Sequence, residues 1–345
     1  MLIPFIKAAV SGEHLDADAS EEAMGIVMRG DATPAQIAGW LVALRQKGET
    51  TGEILGFARA MRQAMVALAN VPEGAIDTCG TGGDGLSTFN ISTAAALLVA
   101  ACGVPVAKHG NRAVSSQSGS ADVLAALGFD IDPGPEAVQR SLASSNFAFL
   151  FAPRFHPAMN HAAGPRREIG VRTVFNILGP LCNPARVRRQ VVGVYDPARL
   201  LPLAEVLAAL GAERAMVVCG PHGADELLPC GENRIVEWDS RTTREYRLQA
   251  HEVGLPECSL AELAGTDASA NAKDITAVAA GQTGPKTDTA LLNAGAALYV
   301  SGQVDSIADG IIAARRAVID GRLHALLQTA GFKSISGSSA GRGAR

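Results

Sequence analysis

The sequence predicts an α/β protein, with a small all-α unit at the N-terminus packed on a larger α/β domain that has a mostly parallel central sheet. Three observations predict it. The first 66 residues carry helix caps and apolar stripes at helical spacing. From Ile76 onward, short β-rich runs alternate with Ala- and Leu-rich segments, the pattern of parallel strands joined by crossover helices. Polar, glycine-rich stretches fall just beyond several of these strands, where an open parallel sheet places its ligands. With 345 residues, 48% of them hydrophobic and 19% charged, the chain is long enough for one large core or two unequal ones.

The elements follow in order. Thr33-Pro34-Ala35-Gln36 starts a helix, with Thr33 as N-cap, Pro34 at the first helical position and Gln36 three residues after the cap. Ile37, Trp40, Leu41 and Leu44 line one face, and Gly48 closes the helix. Thr50 and Glu53 make a second capping box, followed by the face Ile54, Ala58, Met61 and Met65. These helices define a domain over residues 1–66, which helices from about 160–185 join. The α/β domain is expected over 72–333, with strands at Ile76–Cys79, Val104–Lys108, Phe147–Phe151, Gln190–Val194 and Ala215–Cys219. Helices near Ser92–Cys102, Ala121–Leu127, Glu136–Ser144 and Arg199–Leu210 lie between them. Strands between Glu232 and Leu248 read as antiparallel and peripheral, and the last stretch as helical. Residues 334–345 form a Ser/Gly/Arg-rich tail with too little apolar content to order itself.

The net charge of −4 supplies no global basic field for nucleic acid or an anionic membrane, so anionic substrates need local positive sites. The N-terminus lacks the basic start, long apolar core and cleavage site of a secretory signal. The longest small-apolar run, Ile91–Val106, is too short and too broken to span a bilayer. The cysteines Cys79, Cys102, Cys182, Cys219, Cys230 and Cys258 form no CxxC pair, and read as reduced thiols of a cytoplasmic protein.

Four motifs carry chemistry. Asp77–Thr93 sends a strand into Gly80, Gly82, Gly83 and Gly85, with a helix starting near Ser92. Glycine backbone, successive amides and a helix N-terminus together make an anion site, and Asn90, Ser92 and Thr93 add donors. No Gly-Lys-Ser/Thr closes the loop, so it is not a Walker loop. Lys108–Asp122 follows a second strand with Lys108, Arg112, Asn111 and four serines, the other jaw of a phosphate cleft and a candidate lid over Lys108–Ser118. Asp225-Glu226, beyond a third strand, offers the hard oxygens that Mg²⁺ takes. Arg166, Arg167 and Arg172 lie in His161–Pro184, where an arginine can clamp a carboxylate bidentately. The histidines assemble no metal site, and no GxSxG elbow occurs.

In this order, GTGGDG, TFNIST, KHGNR, SGSADVL, RTVFNILGPLCNP, VVGVYDP, GADE and LLNAGAALYVSG resemble the anthranilate phosphoribosyltransferase family, over nearly the whole chain except the tail. The resemblance implies the fold shared with pyrimidine nucleoside phosphorylases and a homodimer formed through the helical domain. It implies that anthranilate and phosphoribosyl pyrophosphate are joined in tryptophan synthesis. Gly80, Gly83, Asp84, Thr88, Asn90, Ile91, Ser92, Thr93, Lys108, His109, Gly110, Asn111, Arg112, Ala113, Val114, Ser115, Ser116 and Ser120 would bind phosphoribosyl pyrophosphate. Two Mg²⁺ ions would be held, one by Ser92 and Glu226 and one by Asp225 and Glu226; Gly80, Asn111 and Arg166 would meet anthranilate.

The chain departs from the family pattern at Gln117, where a Lys is usual, and at Gly164-Pro165, beside Arg166. Catalysis is expected mainly from positioning and electrostatics, with His109 the one candidate proton acceptor. Two other readings are a nucleoside phosphorylase of the same fold and a non-catalytic relative that binds nucleic acid. The carboxylate pair opposes the first and the acidic net charge the second.

Overall fold

The computed structural model describes residues 1–113 and 118–329. Four helices open the chain: α1 (Ile3–Val10), α2 (Ala17–Met28), α3 (Pro34–Lys47) and α4 (Thr51–Ala64). Both expected capping boxes form, Thr33 with Gln36 and Thr50 with Glu53. Glu53 does more than cap. It is buried, pairs with Lys47 at 2.8 Å and accepts from the Leu15 amide at 3.1 Å, tying α4 to the segment before α2.

The chain then alternates: β1 (Ile76–Gly80), α5 (Ile91–Ala101), β2 (Val106–Gly110), α6 (Ser120–Ala126), α7 (Pro135–Ser145) and β3 (Phe147–Phe151). A helical connection follows, α8 (Ala152–Phe155), α9 (Asn160–Ile169) and α10 (Phe175–Leu178). After it come β4 (Arg189–Gly193), α11 (Leu200–Ala209), β5 (Arg214–Cys219), β6 (Asn233–Trp238) and β7 (Thr243–Leu248). The described chain ends in α12 (Ala268–Ala279), α13 (Pro285–Ser301), α14 (Ile307–Ile319) and α15 (Arg322–Thr329). The expected tail lies outside the described residues.

The seven strands form one sheet in the order β3-β2-β1-β4-β5-β6-β7. The first five are parallel, and β6 and β7 are antiparallel at the edge, as the sequence predicted. The chain winds outward from β1 through β2 to β3, then returns to the other side of β1 as β4. A parallel sheet opens a crevice at such a reversal, outside the strand C-termini.

Side-chain alternation along the strands assigns the two faces. Val191, Met216 and Val218 face a core shared with α5, α13 and α14. Val192, Ala215 and Val217 face a second core with α11, α2–α4 and Val174–Cys182. The connection between β3 and β4 is therefore packed into the same core as the N-terminal helices.

One strand was misplaced from the sequence. The run expected to end at Lys108 continues to Gly110, with Lys108 opposite Phe149 and His109 opposite Leu150. His109 and Gly110 extend the strand, and a buried acid, Asp77 on β1, meets His109 and the preceding Lys108 from the side. Its Oδ1 accepts from the His109 amide at 3.2 Å, and its charge faces Lys108.

Candidate active site

The glycine loop after β1 turns through left-handed backbone at Gly82, Gly83 and Gly85. Its GxGxxG spacing would suit a dinucleotide fold, but the helix begins only at Ile91, so the glycines do not open it. Arg172 grips the loop instead, donating to the carbonyls of Gly82 and Gly83 while its guanidinium lies 4.0 Å from the centre of the Tyr195 ring. A Cβ on Gly83 would stand 2.3 Å from that guanidinium.

Asn90, at the N-cap of α5, does not cap its own helix. Its side-chain amide donates to the Ser118 carbonyl at 3.3 Å and accepts from Asn271 on α12 at 2.8 Å, so α12 fixes the spacing between the two jaws. Thr88 bridges to Ala264 across the same opening. Ile91 and Thr93 are buried, and Ser92 is half-buried.

The acidic pair sits over this loop. Asp225 Oδ2 accepts the Gly82 amide at 2.6 Å, and Glu226 Oε1 accepts the Ser92 amide at 2.9 Å. Two asparagines hold the segment, one distant in sequence and one local. Asn293 of α13 accepts from the Leu227 amide at 3.1 Å and donates to its carbonyl at 2.8 Å, and Asn233 accepts from the Leu228 amide at 2.8 Å. The asparagine of the motif LLNAG thus positions the acids.

Asp225 and Glu226 are half-buried, and no cation pairs with either within 4.0 Å among the described residues. Burial, with the nearby Asp84 charge, pushes Asp225 up to about 6. Burial, with Asp225 beside it, pushes Glu226 well above the usual carboxylate range. The Lys108 charge offsets only part of this, and hard oxygens crowded in that way fit a divalent cation. Among the described residues no group of three or more His, Cys, Asp or Glu could hold an ion by itself. An ion here would take its other oxygens from substrate and water.

The close seating of Asp225 carries a prediction. A Cβ on Gly193, at the end of β4, would lie 1.5 Å from the Asp225 carbonyl oxygen, and one on Gly80 2.2 Å from its Oδ2. The Gly193 overlap is with backbone, which no rotamer relieves. Gly193→Ala is expected to cost about 1–3 kcal/mol or more of stability in urea unfolding. An unchanged unfolding midpoint would show that the acidic segment is loosely seated.

Lys108 and His109 lie under the glycine loop, not in a loose lid. Lys108 is 1% exposed and donates to the Thr78 carbonyl at 2.6 Å and to Ser92 Oγ at 3.3 Å. Burial lowers its pKa, while Asp77 pulls the other way. Asn183 donates to both Asp77 Oδ2 and the Ala107 carbonyl at 2.8 Å. His109 Nδ1 lies 3.2 Å from the Gly179 carbonyl, and its ring centre is 5.0 Å from that of His156. Burial first, and then His156, hold His109 down to about 3. Such a ring is neutral at pH 7 and too weak a base to serve as the proton acceptor expected from the sequence.

The second jaw was also expected to leave its cations waiting for an anion. The structure pairs Arg112 with Asp122 at 2.8 Å instead, and places it 5.9 Å from the Phe151 ring centre. Burial raises Asp122, but the amides of Ala113 and Gly119 and the Arg112 guanidinium win and hold it below its ordinary value. Asn111 is exposed, and its carbonyl accepts from Ser120 Oγ at 3.4 Å. Gly110 is half-buried beside Ser120 and Phe149. Val114, Ser115, Ser116 and Gln117 lie outside the described residues.

Arg166 is half-buried on α9, with its guanidinium 5.0 Å from the Phe175 ring centre. Burial lowers its pKa, and among the described residues no carboxylate pairs with it. Arg167 next to it is exposed. Pro165 sits inside α9 with its ring buried, so the helix carries the departure without ending there. Sequence reasoning missed Arg172 as the loop's clasp, Asn183, Asn271 and Asn293 as positioning groups, and Gly193 as a clearance.

Comparison with known proteins follows the same division. Residues 3–65 match the helical bundle domain of the glycosyl transferase family, and residues 72–323 its a/b domain. The anthranilate phosphoribosyltransferase of Moorella thermoacetica is 51% identical over 328 residues, 95% of this chain and 97% of the relative. The crystal structure of the Thermus thermophilus anthranilate phosphoribosyltransferase superposes with a TM-score of 0.90 at 46% identity, covering 94% of this chain and 98% of that one. The Saccharomyces cerevisiae enzyme in complex with PRPP and Mg superposes with a TM-score of 0.87 at 28% identity, covering 96% of each chain.

Proposed function

The chain belongs to the anthranilate phosphoribosyltransferase family, and from that premise we propose how its cleft transfers the phosphoribosyl group of 5-phosphoribosyl 1-pyrophosphate to the amine of anthranilate. The reaction is a Mg-dependent phosphoribosyl transfer that releases pyrophosphate and gives N-(5-phosphoribosyl)anthranilate for tryptophan biosynthesis. The observation that carries the reading is the unbalanced acidic pair hydrogen-bonded to the amides of the anion-binding loop. Phosphorolysis with free phosphate has no use for such a pair. A fluorescence assay should show anthranilate consumed only when both phosphoribosyl pyrophosphate and Mg²⁺ are present; consumption without Mg²⁺ would overturn the role given to the acids.

In this reading the loop from Gly80 to Thr93 receives the phosphates, with Gly83, Asp84, Thr88, Asn90 and Ser92 around them. Gly110, Asn111, Arg112 and Ser120 approach from the second jaw. Magnesium bound at Ser92, Asp225 and Glu226, as two ions sharing Glu226, would neutralise charge growing on the departing pyrophosphate. Lys108 donates to Ser92 Oγ, and the Ser92 amide donates to Glu226, so the hydroxyl is held beside the acids. Anthranilate lies between Gly80, Asn111 and Arg166. Its aromatic amine is neutral at pH 7, so attack at ribose C1 needs orientation more than a strong base. A neutral His109 suits that division, since it adds no positive charge beside a ring carbon that becomes positive.

The domain boundary is placed between residues 66 and 72, the enzyme in the cytoplasm, and the active form as a homodimer through the N-terminal helices. No helix among the described residues is long and apolar enough to cross a membrane. Support for the dimer comes from Ile3, Val10 and Val42, 42%, 72% and 47% exposed on α1 and α3, which pack against each other. Single exposed apolar residues are ordinary; several on two neighbouring helices ask for cover. Light scattering at micromolar concentration should give about twice the 35.5 kDa chain mass, and a monomer mass would contradict the assignment.

A further inference from the structure

Outside the cleft, a cluster of arginines lies where the N-terminal helices meet the segment entering β4. A cavity of about 550 Å³ is lined there by Arg59, Arg62 and Gln63 of α4, Glu21 of α2, and Arg186 and Arg188 of the crossing segment. Four guanidinium groups thus meet one carboxylate, in a chain whose net charge is −4.

The partners of the four differ. Arg188 pairs with Glu213 at 2.9 Å, and Arg59 pairs loosely with Asp18 at 3.4 Å and Glu21 at 3.9 Å. Arg62 directs its donors to neutral groups, the carbonyls of Leu181 at 2.7 Å and Leu210 at 3.2 Å. Among the described residues the Arg186 side chain donates only to the Arg62 carbonyl, at 3.4 Å. Among the described residues no carboxylate lies within 4.0 Å of Arg62 or Arg186. Burial first, with the Arg186 charge adding to it, holds the Arg62 guanidinium below its ordinary value. Arg186 also adopts left-handed backbone, φ 48°, which a side chain of this size rarely takes.

We propose that this cavity is a binding site for a small multivalent oxyanion, with Arg62 and Arg186 as its central donors and Arg59 and Arg188 turning in from their surface partners. Guanidinium groups bind carboxylate and phosphate through paired hydrogen bonds, and two of them left without an acid at one cavity wall supply the charge an oxyanion needs. The volume admits a metabolite-sized anion but not a folded domain. None of the lining residues belongs to the cleft, so the site is separate from the reaction. An anion here links α4 to the segment entering β4, and so ties the helical layer to the sheet.

The experiment is titration calorimetry on the intact protein at low salt without Mg²⁺, with citrate as the polycarboxylate probe and inorganic tripolyphosphate as the phosphate probe. The comparison is the double variant Arg59→Gln/Arg186→Gly; glycine at 186 removes the charge and suits the left-handed backbone. At least one probe should bind the wild type and lose about tenfold or more in affinity in the variant. The variant's kcat and KM, measured without either probe, should stay at wild-type values. The probe that binds identifies the ligand class, carboxylate or phosphate. If neither probe binds the wild type at millimolar concentration, or if both bind the variant as tightly, the proposal is wrong; equal binding would place the anion in the cleft.

Discussion

Replacing Asp225 by Asn and Glu226 by Gln together is expected to lower kcat/KM by about 10³-fold or more, because the several kcal/mol of charge stabilisation that a bound divalent ion supplies are lost with its ligands. The fold should survive. Asn and Gln keep the shapes that accept from the Gly82 and Ser92 amides, and the segment is held independently through Asn293 and Asn233. Stability without metal should move the other way. Burial and Asp84 raise Asp225 from 3.8 to about 6, so the folded protein binds more protons than the unfolded chain between those values. Wild-type stability therefore falls as the pH rises through that window, and Glu226, raised likewise, extends the loss upward. The double variant carries neither group. In Mg²⁺-free buffer at pH 7.5 its Tm should exceed that of the wild type, and the gap should close as the pH falls toward about 4. Added Mg²⁺ and phosphoribosyl pyrophosphate should raise the wild-type Tm and leave the variant's nearly unchanged. A variant that keeps normal turnover would remove the acids from the metal site.

The opposite signs of these effects follow from one arrangement. A pair of acids satisfied within the protein would stabilise it and bind metal poorly. Here the two are brought together under burial, beside a third acid, Asp84, and backbone amides with the more distant Lys108 charge offset only part of the cost. The arrangement is tolerated because the segment after the acids is fixed by the neutral asparagines Asn293 and Asn233, which carry no charge to quench the site.

What was legible in the sequence was local. Thr33 and Thr50 announced their helices because a cap acts within four residues, and Asp225-Glu226 stood out as adjacent acids just past the turn that follows a strand. What was not legible depends on partners distant in sequence. Gly193 reads as an ordinary strand residue until the Asp225 carbonyl is seen against it, 32 positions later. Lys108 reads as a loop cation until Asp77 on the adjacent strand supplies its counter-charge. Arg172 competes on paper with Arg166 and Arg167, and only the fold shows that it clasps the glycine loop. The second jaw was over-read in the same way. Its polar composition predicted unsatisfied cations, but Asp122, ten residues beyond Arg112, already holds that guanidinium.

The three arginines of the β3–β4 connection can be told apart by experiment, and Arg166 is the one expected to control anthranilate. Arg172 is committed to the carbonyls of Gly82 and Gly83, and Arg167 is exposed. Arg166 is drawn out of water over the Phe175 ring with no acid beside it. A guanidinium in that state gains most from a carboxylate arriving with the substrate, since its desolvation has already been met by the fold. Truncating one member of a buried charge pair costs roughly 2–5 kcal/mol, so Arg166→Ala should raise the anthranilate KM by about 30-fold or more. The KM for phosphoribosyl pyrophosphate should change little. Arg166→Lys should recover only part of the loss, because an ammonium cannot make the paired contact. Arg167→Ala should leave both constants near wild type. Arg172→Ala should instead raise the phosphoribosyl pyrophosphate KM, because it frees the glycine loop. If Arg167→Ala gave the large anthranilate effect and Arg166→Ala did not, Pro165 would have to turn α9 in the liganded enzyme so that the neighbouring side chain faces the site.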